Sequence, residues 1–189
     1  MAEVLRVGRK VFVERGFRGT TMDAIATEAG VSKRTLYLWH ADKSALFRAC
    51  IVEGARHFPT PRLEEGDDCH ETLRRYAAST LIHASSPSSL GLGRLLACEQ
   101  YDFPEILPIA ARSQEDYLVI PLAAWLRENG LATPDDARDR AALFIAMALA
   151  PVHERLLVGG GQLNRTAIER HAALVATVFM GGTTPPSAS

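Results

Sequence analysis

The stretch from Thr20 to His40 constrains this chain more than any other, because it sets two helix starts and one sharp break in a short span. Thr20 and Thr21 each offer a hydroxyl to cap the free N–H groups of a short helix, and Asp23 lies in its first turn, where a carboxylate favours the helix dipole. Met22, Ile25, Ala26 and Ala29 make its buried face. Gly30-Val31 then breaks the chain, and Ser32 caps a second helix running to about Trp39. Leu36 is the residue of that helix turned inward against Ile25 and Ala29. A capped short helix, a glycine turn and a second short helix have the plan of a helix-turn-helix.

The flanking sequence continues in the same style. Val4, Val7, Val11 and Phe12 recur at helical spacing and lead to Gly16, a natural stop. Asp42 caps a fourth helix with Leu46, Phe47, Cys50, Ile51 and Gly54 along one face, ended by Pro59 and Pro61. The acidic segment 64–71 has no periodicity and is expected to be a loop. Further helices are predicted over about 71–84, 89–101, 104–129, 135–158 and 165–180, with Pro151 kinking the fourth of these or shifting its register. No alternation of β-branched or aromatic residues with polar ones suggests a strand, so the expected fold is all-α. Residues 183–189, rich in Thr, Pro and Ser, are expected to be a disordered tail.

Composition limits the alternatives. With 47% hydrophobic and 23% charged residues the chain is globular rather than disordered. The longest apolar run, Ala141 to Val152, is twelve residues, short of the roughly 18 to 20 that cross a bilayer, so no membrane partner is expected. The start, MAEVLRVGRK, has no signal-peptide core, and Cys50, Cys69 and Cys98 are an odd, widely spaced set that suits a reducing compartment. The expected location is cytoplasmic.

The 21 basic and 22 acidic residues leave a formal charge of −1, which by itself does not point to nucleic acid. The charge is unevenly spread, however. Residues 1–50 carry nine Lys and Arg against five Asp and Glu, including all three lysines, Lys10, Lys33 and Lys43, whereas the remainder is net −5. The second helix of the pair offers Ser32, Lys33, Arg34, Thr35 and Tyr37, cations and hydroxyls of the kind that meet phosphates and base edges. An isolated basic pair would more often be a solvated face; set on a complete helix-turn-helix plan it points to DNA.

The series Phe12-x-x-x-Gly16-Phe17-x-x-Thr20-Thr21-Met22-x-x-Ile25-Ala26-x-x-Ala29-Gly30-Val31-Ser32-Lys33-x-Thr35-Leu36-Tyr37, followed by Lys43-x-x-Leu46-Phe47, resembles the TetR family of bacterial transcriptional regulators. Further on, Glu99-x-x-x-Phe103-Pro104-Glu105 is similar to a segment found in some branches of it. The resemblance implies a three-helix DNA-binding domain over 1–47 and a larger helical effector-binding and dimerisation domain over 48–182, about nine helices in all. It implies that Thr20 or Thr21 caps the second helix and touches a phosphate, that Lys33, Arg34 and Thr35 face the major groove, and that Tyr37 and Lys43 grip the backbone. Ser32, Trp39 and His40 complete the set of DNA-facing positions. Arg34 is the choice for direct base readout, since its planar fork can bond guanine O6 and N7 together. His40 stands where the family commonly has an aromatic, and two readings stay open for it: a phosphate contact, or packing in an altered turn. The first helix begins almost at Met1, so minor-groove readout by a basic arm is not expected.

The resemblance further implies a homodimer on a palindromic operator of double-stranded DNA. The last two long helices are the expected interface, where Ala141, Phe144, Ile145, Ala148, Leu149 and Val152 lie beside Ile168, Ala172, Val175, Val178 and Phe179, with small Ala172, Ala173 and Ala176 permitting close approach; the same stripes would also serve as core within one chain. A small, largely apolar effector would bind within 71–158 and release the DNA. Candidate pocket residues are Cys98, Tyr101, Phe103, Tyr117, Trp125, Met147 and His153, residues of a kind that more often serve as simple core than as ligand contacts.

Two other readings stand beside this one. The first is a DNA-binding dimer with no effector, or one under a protein partner's control. The second is an enzyme, for which no phosphate loop, nucleophile elbow or HExxH-type motif is present and no Ser or Cys has an identifiable base. Cys69-His70 beside Asp67, Asp68 and Glu71 lacks the spacing of a metal ligand set, so no metal or cofactor is expected.

Overall fold

The computed structural model describes residues 1–101, 104, 106–160 and 162–182; Phe103, Glu105 and the expected tail lie outside them. The described residues form α1 (Ala2–Gly19), α2 (Met22–Glu28), α3 (Lys33–Trp39), α4 (Lys43–Arg56), α5 (Cys69–Ala84), α6 (Pro87–Glu99), α7 (Ile106–Gln114), a π-helical turn (Glu115–Val119), α8 (Ile120–Glu128), α9 (Ala137–Val158) and α10 (Arg165–Gly182), with no strand among them.

Helix ends follow local chemistry. Thr21 caps α2 by accepting the Ala24 N–H at 3.2 Å, Ser32 caps α3 through the Thr35 N–H at 3.0 Å, and Asp42 caps α4 through the Ala45 N–H at 2.7 Å. After α2, Gly30 takes φ 66, the Gly30 N–H donates to Thr27 O and the Val31 N–H to Ala26 O, a Schellman closure that turns the chain into α3. The expected stop at Gly16 is instead a break inside α1: Gly16 has φ 71 and ψ 168, and helix resumes to Gly19. The expected acidic loop is shorter than 64–71, because Asp68 accepts the Glu71 N–H at 2.7 Å and draws Cys69, His70 and Glu71 into the first turn of α5. The single helix predicted over 104–129 carries a π turn, in which the Ile120 N–H reaches back to Glu115 O, just before Pro121 withholds a helical donor. By contrast, α9 continues helical through Pro151 to Val158.

The chain forms two compact units. One comprises Met1–His57 and Pro87–Ser113, the other Phe58–Ser86 and the residues from Gln114 onward. The boundary expected at 47/48 falls inside α4, whose Cys50 and Ile51 join the core of the first unit together with Leu92 and Leu95 of α6. That core centres on three rings: Phe12 and Phe47 are 4.8 Å apart, Phe17 and Phe47 5.3 Å, Phe12 and Phe17 5.8 Å. Burial of such rings contributes most of the stability available to a unit this small. α6 lies close on α1 because Gly91 has no side chain: a Cβ there would sit 2.5 Å from Val13 Cγ1.

In the second unit α5, α9 and α10 pack together, with Tyr76 stacked on Phe144 at 6.0 Å and Phe144 edge-on to Phe179 at 5.1 Å. Of the stripes expected to meet a second chain, Ala141, Phe144, Ile145, Ala148, Leu149, Val152, Ile168, Ala172, Val175, Ala176 and Phe179 are buried within this one. Ala173 is half-buried and Val178 exposed, and Leu143 and Leu174 join Val178 as exposed apolar residues on α9 and α10. α9 is long and apolar enough by composition to span a bilayer, at mean hydropathy 1.6, but Phe144, Ile145, Ala148 and Leu149 on it are core residues.

Candidate nucleic-acid interface

The outward face of α3 is set by one inward anchor. Leu36 is fully buried, so Lys33, Arg34, Tyr37 and Leu38 turn to solvent, on a helix whose first turn is held by Ser32. The Ser32 and Thr35 hydroxyls lie 2.7 Å apart, which fixes both at the N-terminal end. Lys33 reaches back to α2 and pairs with Asp23 at 2.8 Å, with both side chains exposed, and its ammonium lies 5.9 Å from the Tyr37 ring. The hydrogen bond to Asp23 raises the Lys33 pKa, so it remains a cation at any physiological pH. Arg34 is exposed and has no hydrogen bond or ion pair among the described residues, which leaves its guanidinium available for a base edge or a phosphate. Thr21 is exposed beside the same surface.

Three expected contacts are placed differently. Thr20 is 1% exposed and its hydroxyl donates to Gly16 O at 2.7 Å, so it ties down the end of α1 and cannot touch a phosphate in this arrangement. Thr21 alone caps α2. His40 is 9% exposed at the end of α3, its Nε2 has no partner among the described residues, and burial lowers its pKa. Lys43 spends two of its donors inside the unit, on Phe17 O at 2.8 Å and Thr20 O at 2.9 Å, with the ammonium 4.5 Å from the Phe17 ring. Trp39 packs partly buried against the core.

Two elements of this surface were not among the expected contacts. Leu38 is 83% exposed next to Tyr37 and offers an apolar contact of the kind a thymine methyl accepts; its offset from Leu36 on the helical wheel was the available signal. The Asp23–Lys33 pair joins residues on two helices, and no local pattern announces it.

The effector candidates do not share one environment. Cys98 and Tyr101 are exposed in the first unit; in the second, Trp125 is buried, Tyr117 and Met147 are half-buried and His153 is exposed. Met147 lines a groove of about 320 Å³ with Leu143, Val178 and Phe179. Cys69 and His70 belong to no cluster that could hold a metal among the described residues.

Comparison with known proteins agrees with this architecture. Residues 4–50 match the model for bacterial regulatory proteins of the tetR family, and residues 71–182 match that for the C-terminal domain of AefR-like transcriptional repressors. The chain is 28% identical over 167 residues to the HTH-type transcriptional repressor SCO4008 of Streptomyces coelicolor, covering 85% of this chain and 84% of that protein. It is 31% identical to the flavonoid-responsive regulator FrrA, with a TM-score of 0.71 over 96% of this chain and 95% of that one. A TetR-family regulator structure from Mesorhizobium loti superposes with a TM-score of 0.82 at 24% identity, covering 96% and 95% of the two chains, a likeness of fold.

Proposed function

Because this chain belongs to the TetR family of bacterial transcriptional regulators and is a DNA-binding protein of that kind, we propose that it is a cytoplasmic repressor that binds a palindromic operator as a homodimer and is released by a small, largely apolar effector. The observation that carries the DNA reading is the exposed face of α3, where Arg34 stands unpaired next to Lys33 on a helix start held open by Ser32. Thr21, Ser32, Lys33, Arg34, Thr35 and Tyr37 make the contacts, with Arg34 reading base edges and the others positioning the backbone. Lys43 acts from behind, by holding the end of α1.

Two half-sites about one DNA turn apart, roughly 34–36 Å, require a second copy held at a fixed distance. Leu143, Leu174 and Val178 supply the exposed apolar residues for that contact on α9 and α10. The flavonoid response in the name of one relative supports an aromatic effector. Footprinting on the DNA upstream of the chain's own gene tests the proposal. The expected result is a two-fold symmetric protected site, lost when an aromatic compound that raises the protein's melting temperature is added. Single asymmetric sites would oppose the dimer, and stabilisation without release would oppose induction.

A further inference from the structure

Leu38 is 83% exposed near the end of α3, and it is not among the positions that the family resemblance assigns to DNA. Over α1–α4 the large apolar residues left in solvent are Met1, Tyr37 and Leu38, and Leu38 is the most exposed of them. At about 100° per residue, Arg34 and Leu38 each stand roughly 160° from the fully buried Leu36, on opposite sides, and therefore about 40° from one another. They form one ridge along the outermost line of the helix, one turn and about 6 Å apart. The other outward groups of α3 are engaged within the protein. Lys33 pairs with Asp23 at 2.8 Å and lies 5.9 Å from the Tyr37 ring, and the Ser32 and Thr35 hydroxyls meet at 2.7 Å. Arg34 has no hydrogen bond or ion pair among the described residues, and Leu38 stands clear of the core, so these two side chains reach furthest from the helix.

The chemistry of the groove selects what Leu38 can meet there. Among the base edges of the major groove, the C5-methyl of thymine is the apolar group; guanine, adenine and cytosine present hydrogen-bonding groups that an aliphatic side chain cannot satisfy. A phosphate fails for the same reason, since leucine has no donor to give it. We infer that Leu38 is a specificity-determining residue that reads a thymine methyl, and that each operator half-site holds this thymine within about two base pairs of the guanine bonded by Arg34, because a helical turn of about 6 Å spans about two base steps of roughly 3.4 Å. The inference rests on the reading of α3 as the helix that enters the major groove, and adds to it the kind of sequence that helix prefers.

The test uses the full chain and duplex DNA. Selection from randomised duplexes gives the preferred site, and each thymine in it is then replaced by uracil, which keeps the base pairing and loses only the methyl. Replacement at one position per half-site should weaken binding by the parent about fourfold, and about fifteenfold when both half-sites are changed, the worth of one methyl taken out of water at each. Leu38→Ala cuts the side chain back to Cβ and should bind the thymine and uracil sites alike at that position, with an unchanged melting temperature because Leu38 supports no core. Leu38→Met keeps a long apolar side chain and should retain the preference. A parent indifferent to uracil at every position, a uracil effect that Leu38→Ala leaves undiminished, or no guanine read by Arg34 within about two base pairs of the sensitive thymine overturns the inference and leaves the DNA-binding reading intact. Selection that returns no preferred sequence overturns both.

Discussion

Glu99 Oε1 accepts the peptide N–H of Phe17 at 3.2 Å, joining the last residue of α6 to the point where α1 breaks. The positive φ of Gly16 takes the Phe17 N–H out of the helical ladder, and Glu99 takes it up. On the other side of the same residue, Lys43 of α4 holds the Phe17 carbonyl at 2.8 Å. Phe17 is thus gripped at both backbone groups, by a carboxylate and by an ammonium, and so links three helices of the unit that carries α3.

Replacing Glu99 by Ala should therefore cost about 1–2 kcal/mol of stability, the worth of a partly buried hydrogen bond to a charged group. Glu99→Gln keeps a carbonyl oxygen in place and should recover most of it. Denaturant melts of the three proteins decide; equal midpoints for Ala and the parent would show that the contact contributes nothing.

Lys33, Arg34 and Lys43 should separate by what they do. Arg34→Ala should leave stability within about 0.5 kcal/mol and flatten discrimination at one base pair by about 1–3 kcal/mol. Lys33→Ala should weaken all sequences alike and lower the salt slope by about one. Lys43→Ala should destabilise the fold by about 1–3 kcal/mol, since two carbonyls lose a charged donor. Operator-variant titrations at several salt concentrations, paired with melts, distinguish the three; an unchanged base preference in Arg34→Ala removes that residue from readout.

Gly91→Ala should destabilise by about 1–3 kcal/mol, because the added methyl would stand 2.5 Å from a Val13 methyl and the β-branched side chain cannot swing away. Adding Val13→Ala should recover part of the loss. Strict additivity of the two changes in calorimetry would place the cost elsewhere.

His40 should make stability depend on pH. Its folded pKa lies below the ordinary value of 6.5 because burial disfavours the charged ring, so below that pH the unfolded chain binds a proton that the folded one does not. Stability is full above about pH 6.5 and falls as pH drops from there to the folded pKa, after which this group adds no further loss. His40→Phe should remove that part of the slope between pH 5 and 7 in melting curves. An identical slope would assign the dependence to other groups.

Leu174→Glu with Val178→Glu should convert a dimer to a monomer, since both residues are exposed and apolar in the single chain and neither supports its core. Sedimentation at micromolar concentration reads the result. A dimer that persists moves the interface off α10.

The amino-acid sequence alone determined the helical class, the capped starts at Thr20-Thr21, Ser32 and Asp42, the turn at Gly30 and the helix-turn-helix plan, because capping and turn formation involve atoms three or four residues apart, while the structure assigns the first cap to Thr21. Only the tertiary structure decided where the polar and boundary side chains of these helices turn. Thr20 and Lys43 turn inward onto the carbonyls at the end of α1, His40 is buried at the end of α3, and most of the apolar stripes of α9 and α10 are consumed within one chain because α5 lies against both. The Asp23–Lys33 and Glu99–Phe17 contacts join groups that are distant in sequence. Periodicity places a residue on a face of its helix, but the partner of that face is chosen by the packing of the whole unit.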